Sequence, residues 1–291
     1  MKRWYIFILC ATLCACEDSP KKAFSETNSW SHLTKYAATP NEDIAAHRKE
    51  IKEYICAELT AAHVNFECDE FVAETPQGMR KMANVVATIP SKSDGQKFVI
   101  LSCHYDLKEI EPRMSGANDG GSGVAVLLEL ARIIEEPNQS VRIVFFDGEE
   151  CVEEYSENDG LYGSRHYAGK LQKNDELKNC IAIINVDMVG DKKLALTLPS
   201  NTNNQLYRAL KAASVKLKSD GLISQYPGQI LDDHVPFQKL GVPAINLIDF
   251  DYGKNNRFWH TPEDSIENVS AKSLKQTGDL ILALLREIDV L

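Results

Sequence analysis

The sequence has no apolar run long enough to cross a bilayer. The run at residues 4–13 falls short of the roughly 20 residues that a spanning helix needs. A basic excess is also missing: 32 Lys and Arg stand against 42 Asp and Glu, a formal charge of −10, which excludes the electrostatic footprint of a nucleic-acid binder. There is no C-x-x-C pair, which argues against a structural thiolate–zinc site. No repeat or low-complexity tract interrupts the chain. What is present is an ordinary globular composition, long enough for one large α/β domain with a single buried core.

The N-terminus reads as a targeting segment. Lys2 and Arg3 precede the apolar run, and Leu13-Cys14-Ala15-Cys16 follows it. Small residues before a cysteine, with acidic and polar residues after it, resemble the lipobox of bacterial lipoproteins. The chain is therefore divided into a leader with its lipidation residue Cys16 (1–16), a polar tether and N-terminal segment leading into the fold (17–40), and one large domain (41–291). An exported protein of the cell envelope is expected, reaching the membrane only through its lipid and working as a monomer. With Cys10, Cys14 and Cys16 assigned to the leader, five of the eight cysteines remain: Cys56, Cys68, Cys103, Cys151 and Cys180. In an oxidising compartment Cys56 and Cys68 could pair, but buried free thiols explain them equally well.

Apolar positions at helical spacing predict a helix over residues 41–62. β-Branched residues at 64–73 and 82–89, separated by Thr75-Pro76-Gln77-Gly78, predict a hairpin or two neighbouring strands. Beyond them, short apolar strands at 97–103, 141–146, 181–187 and 243–248 alternate with helical patterns at 123–135, 163–171, 202–217 and 270–288. Near-continuous apolar strands between helices indicate a central sheet covered on both faces.

Polar residues with metal-binding chemistry close these strands. One ends in Cys103-His104-Tyr105-Asp106, and a glycine-rich loop carrying Asp119 opens the next helix. Two more end in Asp147-Gly148-Glu149-Glu150 and at Asp187, and Trp259-His260-Thr261-Pro262 stands near the C-terminus. Singly, each has a plain explanation: a helix cap, a solvated acidic pair, a loop histidine. Their recurrence at one sheet edge does not, because open α/β sheets place their sites beyond the strands' carboxyl ends. Zinc takes imidazole and carboxylate ligands and keeps one position open when catalytic. Of two adjacent glutamates, one suits the metal and its neighbour general acid/base work. Asp106, two residues after His104, is placed to orient that imidazole as a supporting partner.

These segments resemble the ligand blocks of the co-catalytic zinc aminopeptidases and of the animal-type glutaminyl cyclases, which share a fold with a mixed central sheet flanked by helices. The aminopeptidase pattern implies two zincs bridged by Asp119, with His104 and Asp187 completing one site, Glu150 and His260 the other, and Glu149 as general base. Longer blocks are similar to the cyclases: Phe145 to Glu150 followed by Asp159-Gly160-Leu161-Tyr162-Gly163-Ser164-Arg165-His166, then Leu231-Asp232-Asp233-His234-Val235-Pro236-Phe237, and Trp259 before His260. The cyclase resemblance implies one zinc on Asp119, Glu150 and His260. It also implies Glu149, Asp187 and Asp232 as catalytic groups, Trp259 as an apolar wall of the substrate pocket, and peptides with an N-terminal glutamine as substrates. Tyr155 stands in the pocket where those cyclases have tryptophan, and Asn246 where they have histidine. The longer loop at 249–258 is expected to reshape the substrate mouth. An aminopeptidase is the alternative, and a non-catalytic envelope binding protein the remote one.

Overall fold

The computed structural model describes residues 22–93, 95–110 and 113–291. Cys16 and the leader lie outside the described residues. Among the described residues, six strands form one sheet in the order β1-β2-β4-β3-β5-β8. β1 (Asn65–Thr75) and β2 (Gly78–Ile89) make the antiparallel hairpin, and Gly78 closes its turn at φ +105°, which glycine alone adopts without strain. β2 runs antiparallel to β4 (Ser140–Phe146). From β4 onward, β3 (Phe98–His104), β5 (Cys180–Asp187) and β8 (Ala244–Ile248) are all parallel to their neighbours. Four strands therefore end at one edge, with His104 opposite Phe146 and Asp187 opposite Ile248.

The alternation of side chains along these strands divides the core in two. Val99, Leu101 and Cys103 of β3 face one side, where Ile143, Ile184 and Leu247 join them. That face is covered by α2 (Ile44–Ala61), α3 (Gly121–Ile133), α5 (Asn204–Lys216) and α7 (Ala271–Glu287). Phe98 and Ile100 face the other side with Val144, Phe146 and Ile183, under α4 (Tyr162–Lys173) and α6 (His234–Lys239). The chain passes from β3 to β4 on one side and from β4 past β3 to β5 on the other. The order thus reverses at β3, the kind of switch point where α/β sheets hold their ligands.

Two parts of the architecture differ from the sequence expectations. Residues 24–37, the end of the N-terminal segment that leads into the domain, belong to the folded body as a helix that the sequence pattern did not show. α1 (Glu26–Ala37) buries Ser29, Leu33 and Tyr36 on one face and packs on α3 and α7. Phe24 is buried against α7 so closely that a Cβ on Gly278 would lie 2.2 Å from its ring. Glu129 of α3 latches the segment, accepting from the Ser25 N–H at 2.9 Å and from Asn28 at 3.3 Å. The polar composition of this stretch hid a single narrow apolar stripe. β6 (Leu196–Leu198) and β7 (Ile223–Gln225), a small parallel pair outside the main sheet, also escaped notice, being three residues each. Among the described residues no helix is long and apolar enough to cross a membrane.

Candidate metal centre

Asp119 sits at the centre of the site, one residue before the Gly120 that opens α3. Gly116 and Gly120 both have positive φ, and a Cβ on Gly120 would come within 2.8 Å of the Tyr36 hydroxyl and 3.2 Å of His104. Glycine there lets the loop bring Asp119 against the end of β3. Two imidazoles flank the carboxylate. His104 Nε2 lies 3.1 Å from Asp119 Oδ1 and 3.3 Å from Asp187 Oδ1. His260 Nε2 lies 3.3 Å from Asp119 Oδ2 and 3.2 Å from Glu150 Oε1. The two triads, His104–Asp119–Asp187 and Asp119–Glu150–His260, therefore share Asp119, and the donor atoms within each triad lie within 4.8 Å of one another.

Buried carboxylates hold the loops in place. Asp106 accepts the backbone N–H groups of Glu149 and Glu150, both at 3.1 Å. It stands 3.7 Å from His104 Nδ1, beyond hydrogen-bond range. Asp106 thus stands beside the far nitrogen of His104 while its two oxygens hold the turn that presents the two glutamates. Asp264 accepts from the N–H groups of Asn118 at 2.8 Å and Asp119 at 3.2 Å, which ties the Asp119 loop to the His260 segment. Asn118 accepts in turn from the Gly190 N–H at 2.6 Å, beyond the end of β5. Neither Asp264 nor Asn118 was singled out from sequence; the only signal was their position beside Asp119 and His260.

Glu149 and Asp232 line a cavity of 210 Å³ with Asp119, Asp187, Tyr155 and Trp259. The Tyr155 hydroxyl lies 2.9 Å from both Glu149 Oε2 and Glu150 Oε2, and donates to one at a time. Its loop is fixed by Asp159, which accepts from the N–H groups of Val152, Glu153 and Glu154. Trp259 stacks on His260 at 4.1 Å between ring centroids, and Phe250, from the long loop, meets Trp259 edge-on at 5.5 Å. Asp232 accepts from Asn185 at 2.9 Å and from Asn246 at 2.7 Å, so the asparagine at position 246 donates to it directly. Every site residue named from the sequence, Cys16 apart, is thereby brought to one edge of the sheet.

The electrostatics fit a bound cation. Burial, then the neighbouring Glu150, pushes the Glu149 carboxyl well above the usual range. Burial, then Asp187 and Asp233, does the same to Asp232. Burial opposes charge on His260, yet Glu150 and Asp119 outweigh it and push the imidazole up to about 10. Burial also opposes the charge on Asp119, but His104 and His260 hold that carboxyl below its ordinary value. Several carboxylates crowded in a site that excludes water destabilise one another, and a divalent ion offsets that repulsion. Imidazole nitrogen beside carboxylate oxygen is moreover the donor chemistry that zinc takes.

Paired imidazole and carboxylate triads at the switch point of a mixed sheet define a metal-dependent α/β enzyme. The chain belongs to peptidase family M28, whose sequence profile matches residues 84–285. It is 32% identical to the solved glutaminyl cyclase of an Acidobacteriales bacterium, with a TM-score of 0.85 over 94% of this chain and 97% of that one. Glutaminyl-peptide cyclotransferase of Bos taurus is 28% identical over 260 residues, 76% of this chain and 70% of that protein. Aminopeptidase YwaD of Bacillus subtilis is 36% identical over 198 residues, 65% of this chain but 40% of that one.

Proposed function

We propose that this protein is a zinc-dependent glutaminyl-peptide cyclotransferase, converting the N-terminal glutamine of peptides to pyroglutamate with release of ammonia. What carries the choice over an aminopeptidase is the 32% identity to a glutaminyl cyclase sustained along nearly the whole of both chains, whereas the match to aminopeptidase YwaD spans 65% of this chain and 40% of that one. Asp119, Glu150 and His260 would hold one zinc, which supplies a Lewis acid beside the side-chain carbonyl of the substrate. The chain's own groups do the rest. The cavity orients the glutamine so that its free α-amine meets its own side-chain amide carbon; holding the two partners together supplies much of the acceleration. The N–C bond of a five-membered lactam forms and the bond to the amide nitrogen breaks.

Glu149 takes the proton that the attacking amine sheds and returns it to the departing nitrogen. A buried carboxylate beside the metal ligands is the kind of group that general acid/base catalysis uses. Asp187 holds the amine, and Asp232, fixed by Asn185 and Asn246, supports the proton carrier. Trp259 and Tyr155 form the substrate walls, with the Tyr155 hydroxyl steadying Glu149. His104 stands behind Asp119 and Asp187 and supports both.

The aminopeptidase reading rests on one specific observation: the second triad, His104–Asp119–Asp187, is complete. An assay on zinc-replete protein separates the two. A glutaminyl peptide should lose one ammonia and keep its remaining residues, while an aminoacyl anilide stays intact. Release of free amino acids without ammonia loss would overturn the cyclase.

The leader supports export and lipid attachment at Cys16. In the cells that process it, Cys16→Ser should move the protein from the membrane fraction to the soluble fraction. Retention in the membrane would refute the anchor.

A further inference from the structure

Two cysteines outside the site stand in contact. Cys56 lies on α2 and Cys68 on β1, twelve residues apart, and their Sγ atoms are 3.7 Å from each other. Neither is a buried core thiol: Cys68 is exposed and Cys56 half-buried, unlike Cys103, Cys151 and Cys180. The sequence left pairing and buried thiols as equal explanations, and the exposure removes the second. β1 is also the edge strand of the sheet, hydrogen-bonded only to β2 among the described strands. An unpaired edge is where a sheet frays or joins another chain, and natural proteins fasten such edges.

We propose that Cys56 and Cys68 form a disulfide that staples the β1 edge to α2. The reaction is thiol–disulfide exchange with an oxidised dithiol or glutathione disulfide. The exposed Cys68, as thiolate, attacks one sulfur of the oxidant and expels the other as a thiol. Cys56 then attacks the mixed disulfide, the Sγ–Sγ bond forms, and the second thiol leaves. Two protons leave the protein and two electrons pass to the oxidant. The sulfurs need only close from contact to a bond length of about 2.0 Å. Cys68, the exposed sulfur of the two, is the one an oxidant in solution reaches first. The staple closes a short loop in the unfolded chain and so narrows that ensemble.

The test treats purified full-length protein with a glutathione redox buffer, blocks free thiols with iodoacetamide, and maps the peptides by mass. A linked Cys56–Cys68 pair is expected, two hydrogens lighter than the dithiol, with Cys103, Cys151 and Cys180 as free thiols. The oxidised protein should melt roughly 5 °C above the reduced one, and Cys68→Ser should remove that difference. Alkylation of both residues, or glutathione on Cys68 that Cys56 never displaces, would overturn the proposal. So would a linked pair whose reduction leaves the melting temperature unmoved. Cyclase activity plays no part in these readouts, so they stand whatever the fate of the functional reading.

Discussion

Glu149→Gln should lower kcat by about 10²- to 10⁴-fold, the range expected when a general acid/base is lost, while zinc content stays at the wild-type level. Glutamine keeps the size of the side chain, and its carbonyl oxygen still accepts from the Tyr155 hydroxyl. The backbone N–H at position 149 remains bound to Asp106, so the turn presenting Glu150 is undisturbed. Only the ability to take and return a proton disappears. A fall in kcat with little change in KM, measured as ammonia release, is the expected signature. Activity within a few-fold of wild type would remove Glu149 as the proton carrier.

The same substitution carries a stability signature of opposite sign. Glu149 has a folded-state proton affinity raised by burial and by Glu150. Between its unfolded value and its raised folded value the unfolded chain binds fewer protons than the folded one, so stability falls as pH rises through that window. Glutamine does not titrate, and the metal-free variant should therefore be at least as stable as the metal-free parent at neutral pH. Thermal melting of the two proteins measures this directly.

The order of strands and helices was legible because buried parallel strands read as unbroken apolar runs. His104 and Asp187 could be placed at strand ends for the same reason. The hairpin's turn was marked by Pro76 and Gly78. α1 was missed because its buried stripe is only Ser29, Leu33 and Tyr36 in a polar helix. The role of Asp106 was half legible. Its proximity to His104 follows from spacing, but its hold on the Glu149–Glu150 turn is a tertiary fact between two loops. Asp264 was invisible for a stronger reason. It lies 145 residues from the Asp119 N–H that it binds, and no local pattern encodes such a contact. A sequence reading finds groups whose chemistry is unusual for their position, and it overlooks those that hold such groups still.

Asp119→Asn should abolish both zinc retention and turnover, and a companion variant, Asp187→Asn, should abolish only turnover. Asp119 is the carboxylate common to both triads, with one oxygen toward each imidazole. Asparagine removes the charge that offsets both histidines and leaves one weak acceptor in place of two oxygens. Loss of a mere supporting partner lowers metal affinity by about 10- to 100-fold, and loss of a shared ligand should exceed that. Asp187 belongs only to the His104 triad. In a one-zinc cyclase the wild type binds one zinc per chain, and Asp187→Asn keeps it while failing to hold the attacking amine. In a two-zinc enzyme the wild type binds two and Asp187→Asn falls to one. Metal analysis after dialysis reads the count without reference to turnover. Two zincs in the wild type, falling to one in Asp187→Asn, would overturn the single-zinc centre and favour the hydrolytic reading, because the second triad would then be a filled site rather than a frame for the substrate amine.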